Sequence, residues 1–228
     1  MVNIQKAAVI GCGFVGSSSA FAMMRSGIFS ELVLLDANQA KAEGEAMDIA
    51  HGLPFSRPMK IYAGGYSDLR DCALVVITAG ANQKPGETRL DLVKRNVSIL
   101  GSIIPEIVKV NREAILLIVS NPVDILTWAA QKLSGLPKSQ VLGSGTVLDT
   151  ARLKYLLGEH LSVDSRSVHA VIIGEHGDSE LAVWSGANVS GVDLDHFCAL
   201  CGEEEHRAMM ERIYTDLRDS AYEIIERK

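Results

Sequence analysis

Long apolar runs are missing from this chain: no stretch reaches the ~18 uninterrupted residues that a membrane-spanning helix needs. A surplus of basic residues is missing too. Lys and Arg number 22 against 28 Asp and Glu, a formal net charge of −6, which is the wrong sign for nucleic acid or an anionic membrane as main partner. Cysteine is sparse, four in 228 residues, so a disulfide scaffold is not expected. Cys12 and Cys72 fall beside predicted strands, where a small buried thiol is the ordinary reading. Cys198 and Cys201 form "FCALC", with His196 and His206 close by. A second ligand pair at defined spacing is lacking, so no metal site is expected. The opening "MVNIQKAAVIGCG" has neither the charged flank, the long apolar core nor the cleavage site of a signal peptide. Repeats and low-complexity linkers are absent as well. What remains is a cytoplasmic globular protein, 47% hydrophobic and 22% charged, long enough for one large domain or two small ones.

Short apolar runs alternate with longer segments of helical period. The runs cover 7–11, 31–36, 60–64, 73–80, 114–120 and 141–145, and helices are predicted at about 14–26, 38–50, 89–110 and 123–133. Apolarity within the runs is unbroken rather than alternating, which marks strands covered on both faces: a parallel sheet with crossover helices. After residue 150 the pattern changes to one helix, a strand "SVHAVIIG", a short strand "ELAVW" and a polar helical tail from about 204. A second subdomain is therefore expected from residue 147.

The first motif is "GCGFVG", residues 11–16, between the first strand and the first helix. Gly11 permits a tight turn, Gly13 lets backbone amides approach a pyrophosphate, and Gly16 lets the helix pack closely on the sheet. Such a glycine pattern alone is weak. Here the second strand ends in Asp36, where a carboxylate can accept both ribose hydroxyls. Asp36 also reads as a helix N-cap before "ANQAKAEGEAMDIA". With strand, glycines, helix and acid in register, dinucleotide binding is the expectation, and the carboxylate favours NAD over NADP because it would repel a 2′-phosphate.

Four further clusters carry polar groups where a fold of this type binds ligands. "GANQKPGETRLDL" (80–92) suits a mobile loop carrying Arg89, and "SNPVD" (120–124) places Asn121 at the carboxyl edge of the sheet. "LDTARL" (148–153) sets Asp149 and Arg152 three residues apart on one helical face. "IIGEHGDSE" (172–180) puts His176 between two acids and two glycines, after an apolar run, where packing gives no reason to display an imidazole. Singly, these read as a solvated loop charge, a turn residue, a cap with a surface pair, and a turn histidine. Their joint occurrence with a dinucleotide fingerprint favours a site.

Taken in order, "GCGFVG", "AGANQKPGETRLDL", "NPVD", "GSGTVLDTARL" and "GEHGDSE" make the chain resemble the lactate and malate dehydrogenases over its whole length, most closely the bacterial L-lactate dehydrogenases. The resemblance implies a Rossmann doubly wound parallel sheet over 1–146, binding NAD, followed by an incomplete α+β catalytic domain over 147–228. It implies His176 as catalytic acid/base with Asp149 as its partner, Arg152 as the clamp on the substrate carboxylate, and Arg89 as the group that polarises the reacting carbonyl. Asn121 and Asp124 would be further substrate contacts, Asn121 touching the cofactor as well. For NAD it adds Val15, Lys41, Tyr66, Gly80, Ala81, Ser102 and Ser144 to Gly11, Gly13, Gly16 and Asp36. Family chains continue past "SAYEIIERK", so the family C-terminus is expected to be absent. An NAD-binding regulatory protein, or a catalytically impaired fragment, is therefore the alternative.

The implied chemistry needs these residue types. Reducing a 2-keto acid leaves negative charge on oxygen, and histidine titrates near enough to neutrality to deliver a proton and take it back. An aspartate on its other nitrogen fixes the tautomer and favours imidazolium. Arginine matches a planar carboxylate with two parallel hydrogen bonds. At Gln83, malate enzymes of the family carry an arginine for the second carboxylate. An uncharged side chain there favours pyruvate and L-lactate. Lys154 and His169 stand where an arginine and a histidine form a fructose 1,6-bisphosphate site in regulated members, which implies a possible effector and a homo-oligomer, a tetramer in the family.

Overall fold

The computed structural model describes residues 2–81, 86, 88–201 and 206–227. The chain divides into two compact units, Met1–Ser144 and Gly145–Lys228. Among the described residues no helix is long and apolar enough to cross a membrane.

The first unit runs β1 (Asn3–Ile10), α1 (Phe14–Ser26), β2 (Glu31–Leu35), α2 (Gln39–Ala50), β3 (Lys60–Ala63), β4 (Cys72–Ile77), α3 (Arg89–Val110), β5 (Ile115–Ile118), α4 (Val123–Ser134) and β6 (Val141–Gly143). The strands form one parallel sheet in the order β3-β2-β1-β4-β5-β6, the doubly wound arrangement, in which the order reverses between β1 and β4. Its two faces follow from strand alternation. Ala7 and Val9 pack with Ala20 and Met24 of α1 and Ala42, Ala46 and Ile49 of α2. Ala8 and Ile10 pack with Leu100, Ile104 and Ile107 of α3 and Leu126 and Ala130 of α4. Each residue of β1 from Ala7 onward is thus buried, which is why the run shows no polar alternation. β1 begins four residues before the apolar run does. Its polar start is held by Asn3 N–H donating to the Asp71 carbonyl at 2.7 Å and by Lys6, buried against Asp71 and Glu31.

The second unit holds α5 (Val147–Leu161), β7 (Val168–His169), β8 (Ile172–Ile173), β9 (Leu181–Ala182), β10 (Asn188–Val189), β11 (Val192–Asp193), α6 (Leu194–Cys201) and α7 (His206–Glu226). One core joins Leu153 and Leu157 of α5 to Val168, Ile172, Val189 and Cys198 and to Met209, Ile213 and Leu217 of α7. The expected single strand "SVHAVIIG" is two strands in two sheets: β7 pairs antiparallel with β10, and β8 pairs antiparallel with β9. The break falls at Ala170 and Val171, and the residue just after it is held from outside the strand. Both backbone groups of Ile172 are taken by α5, the N–H by Thr150 Oγ1 at 3.0 Å and the carbonyl by the Thr146 hydroxyl at 2.7 Å. "ELAVW" contributes only two strand residues, and the β10–β11 hairpin and α6 precede the tail helix, which begins at His206.

Candidate active site

In the first unit the turn from β1 into α1 is built around close backbone contacts. Gly11 has φ of +101°, and a Cβ there would lie 2.5 Å from the Ala79 backbone nitrogen. At Gly16 a Cβ would lie 1.8 Å from the Gly11 carbonyl oxygen, so only glycine lets α1 dock this closely. Thr78 Oγ1 donates to the same carbonyl at 2.6 Å and fixes the turn from β4. In front of Gly13 there is open space within 4 Å. Gly13 caps α1 with no side-chain hydrogen bond, and the first turn holds no acid. The helix therefore presents its amino-terminal amides and positive dipole end to that space, which suits a pyrophosphate.

Asp36 sits half-buried at the end of β2. Its Oδ2 accepts from the Cys12 N–H at 2.7 Å and its Oδ1 from the Asn38 N–H at 2.9 Å. The cap of α2 is Asn38, which accepts from the Lys41 N–H, so the helix-cap role does not fall to Asp36. Each carboxylate oxygen keeps a second lone pair, enough for two ribose hydroxyls. Turn, helix end and carboxylate together fit a dinucleotide. Cys12 is inert beside them: burial, then the Asp36 charge, pushes its thiol up to about 11.

The other cofactor positions that the resemblance implies are spread over several elements of this unit. Val15 and Lys41 are exposed in the first turns of α1 and α2, and Gly80 and Ala81 follow β4. Ser144 closes β6, its N–H donating to the Ile118 carbonyl. Tyr66 is half-buried and packs on the α3–α4 side of the sheet, and the Ser102 hydroxyl donates to the Ile99 carbonyl within α3. Asn121 precedes Pro122, the cap of α4, through a cis peptide, and Asp124 lies in the first turn of that helix. One residue escaped the sequence reading. The buried side chain of Asn96 accepts from the Ala81 N–H at 2.8 Å and donates to the Ala81 and Asn121 carbonyls at 3.3 and 2.8 Å, so it ties the segment after β4 to the segment before α4. Arg89 opens α3 after the Thr88 cap; its side chain, and the whole of Gln83, lie outside the described residues.

In the second unit the first turn of α5 carries Asp149, only 2% exposed. Its Oδ1 accepts from Arg152 Nη1 at 3.2 Å, and its Oδ2 lies 2.5 Å from His176 Nδ1. The three groups that the sequence singled out in this half are therefore one cluster. His176 is presented by a turn between Gly174 and Gly177, with φ of +96° and +122°, which directs the ring back toward α5. The threonines that hold Ile172 flank that same first turn, so one helix end fixes both the start of β8 and the aspartate.

A fourth member, Glu180, was not singled out. It is 5% exposed, and one nitrogen or oxygen from each of Asp149, His176 and Glu180 lies within 4.8 Å of the others. Burial, then the charge and hydrogen bonding of Asp149, raises its carboxyl above the ordinary range, against an opposing pull from the Gly177 backbone and His176. Its backbone is pinned by its N–H to the Gly177 carbonyl at 3.1 Å and by the Tyr214 hydroxyl of α7 on its carbonyl. The available signal was an acid four residues after the histidine, at the edge of an apolar run. Lys154 is half-buried on α5 and His169 exposed on β7.

Residues 5–143 match the model of the lactate/malate dehydrogenase NAD binding domain, and residues 146–228 that of the lactate/malate dehydrogenase alpha/beta C-terminal domain. The chain belongs to the lactate/malate dehydrogenase family. Its cofactor is NAD. An L-lactate dehydrogenase of Acetivibrio thermocellus is 56% identical over 225 residues, 99% of this chain and 71% of that protein. One from Priestia megaterium is 56% identical over 224 residues, 98% and 70%. The crystal structure of a lactate dehydrogenase from a Medee basin deep-sea metagenome library superposes with a TM-score of 0.93 at 51% identity, covering 100% of this chain and 72% of that one.

Proposed function

We propose that this chain interconverts pyruvate and L-lactate with NADH and NAD, the end step of fermentative glycolysis. The observation that carries the reading is the buried Asp149 joined to His176 on one oxygen and to Arg152 on the other. When bound, NADH supplies the hydride for the carbonyl carbon of the keto acid. Asp149 engages Nδ1, so Nε2 is the nitrogen of His176 that carries the mobile proton to the developing alkoxide and recovers it in reverse. The buried carboxylate also holds the ring in the orientation that presents Nε2. Arg152 takes the substrate carboxylate through its planar fork. Arg89 adds positive charge beside the carbonyl oxygen, and Asn121 and Asp124 complete the substrate contacts. Gly11, Gly13, Val15 and Gly16 take the pyrophosphate and Asp36 the ribose. Lys41, Tyr66, Gly80, Ala81, Ser102, Asn121 and Ser144 line the rest of the dinucleotide.

Substrate choice rests on Gln83, whose uncharged side chain leaves a second carboxylate unpaired. The test measures NADH oxidation with pyruvate and with oxaloacetate, in this chain and in Gln83→Arg. Pyruvate should be preferred, and the substitution should move the ratio of kcat/KM toward oxaloacetate by orders of magnitude. An unmoved ratio takes Gln83 out of the substrate contact, and NADH that binds without being consumed returns the chain to a binding protein. Run with fructose 1,6-bisphosphate, the same assay tests Lys154 and His169 as an effector site; an unchanged pyruvate saturation curve removes it. The setting is a cytoplasmic homotetramer by family resemblance, which sedimentation velocity checks.

A further inference from the structure

Two carboxyl groups, Asp149 and Glu180, share one buried cluster with a single histidine and a single arginine. Asp149 is 2% and Glu180 5% exposed. Two ionised carboxylates this close and this dry repel each other strongly, so one of them keeps its proton. Asp149 is the one with a partner on each oxygen, Arg152 on Oδ1 and His176 on Oδ2, so the proton falls to Glu180. Among the described residues, Asp149 on α5 and His176 on the turn lie against Glu180, with the Tyr214 hydroxyl of α7 on its carbonyl.

We infer that Glu180 is a positioning residue whose protonated carboxyl donates a hydrogen bond to Asp149 and so sets how strongly Asp149 holds the His176 proton. The inference rests on the dehydrogenase reading of this cluster, which also gives it a purpose. When Arg152 turns to a substrate carboxylate, Asp149 Oδ1 loses its 3.2 Å partner, and a buried carboxylate oxygen left without a donor is costly. The Glu180 proton fills that role without adding charge. Burial favouring the neutral form of Glu180 agrees. Restraining Asp149 in this way keeps the imidazolium from becoming too weak an acid to give up its proton.

The test uses the whole chain, with Glu180→Gln and Glu180→Ala. Glu180→Gln keeps a neutral donor, so kcat for pyruvate reduction should stay within about twofold and the alkaline limb of its pH profile should stay in place. Glu180→Ala removes the donor, leaves Asp149 a stronger partner for imidazolium, and should move that limb to higher pH. Infrared difference spectra of wild type against Glu180→Gln should show the carbonyl stretch of a buried protonated carboxylic acid at neutral pH, present only in the wild type. Had Glu180 been ionised, the band would be missing. Glu180→Gln would then remove a charge beside the histidine and shift the limb to lower pH by roughly one unit or more; either result overturns the inference. The infrared band needs no turnover. An inactive wild type that shows it defeats the dehydrogenase reading and leaves the protonated Glu180 standing, whereas an active wild type without it does the reverse.

Discussion

In Met1–Ser144 the groups offered to a ligand are held by backbone. The glycine turn leans on the Ala79 main chain, α1 lies against the Gly11 carbonyl, and Asp36 is fixed by two backbone N–H groups. In Gly145–Lys228 the corresponding groups are held by side chains. Asp149, Arg152, His176 and Glu180 meet across a helix turn and a loop, joined by one another rather than by a sheet edge. The two means suit two tasks. A dinucleotide is bound by a shape that must not move, which backbone ladders and core packing supply. Proton transfer needs groups whose charges answer to one another, which only titratable side chains at short distance supply.

The sharpest way to break that division of labour is His176→Asn, which keeps a polar side chain of similar reach but no mobile proton. NADH affinity, read by fluorescence titration, should change by less than about twofold. Turnover with pyruvate should fall by at least ~10²-fold, the usual scale for a lost general acid. Equal losses in binding and turnover would show that the two units do not divide the work in this way.

The same contrast explains what the sequence disclosed. The parallel sheet was legible because strands buried on both faces leave unbroken apolar runs, as at 31–35 and 72–77. The glycine turn was legible because close backbone approach demands one residue type at fixed spacing. The polar start of β1 was not, since "NIQK" enters the sheet through Asp71 and Glu31, residues far away in sequence. In the second unit, strands of two residues have no period to detect, and Ile172, just after the split, is held by two threonine hydroxyls at the start of α5, far away in sequence. His176, Asp149 and Arg152 could be named from motifs, but their meeting is a tertiary fact. Asn96 ties backbone groups far away in sequence, so nothing in its own spacing marks it, and the one trace of Glu180 is an acid four residues after the histidine.

A structural counterpart inside the first unit is Asn111, at the end of α3. Its amide donates to the Leu69 and Cys72 carbonyls at 2.8 and 2.9 Å, while its oxygen accepts from the Glu113 and Ala114 N–H groups at 2.9 and 3.1 Å. One buried side chain thus closes the loop before β4 onto the loop before β5. Asn111→Ala leaves these backbone groups without their partner and should cost about 2 kcal/mol, lowering Tm by roughly 4–8 °C in a protein of this size. Turnover at low temperature should survive. A Tm within a degree of wild type would mean that water replaces the amide at no cost.

The smallest effect is expected where side chains supplement backbone within the sheet itself. Lys6, Glu31 and Lys60 occupy facing positions across β1, β2 and β3. Lys6 Nζ lies 2.7 Å from Asp71 Oδ1 and 3.4 Å from Glu31 Oε1, and the Tyr62 hydroxyl donates to Glu31 at 2.8 Å. Burial disfavours the ammonium, yet the Asp71 hydrogen bond and the surrounding charges outweigh it and raise Lys6 above its ordinary value. Lys6 in turn lowers Asp71, and Glu31 is lowered by Tyr62 and Lys6 despite its burial. Losing one partner of a buried pair can cost 3–5 kcal/mol, but the Asp71 side chain is 45% exposed, so screening reduces the loss from Lys6→Met to about 1 kcal/mol. The sign of the pH dependence follows from the directions. Depressed carboxylates contribute stability above their ordinary range near ~4 and lose it as pH falls through their folded values, while a raised lysine contributes below ~10 and loses it in strong alkali. Thermal melts of wild type and Lys6→Met should therefore differ by roughly 2–4 °C at neutral pH and converge in acid as Asp71 and Glu31 take up protons. A gap as wide in acid as at neutrality would mean that the lysine stabilises the sheet through its alkyl chain and not through its charge.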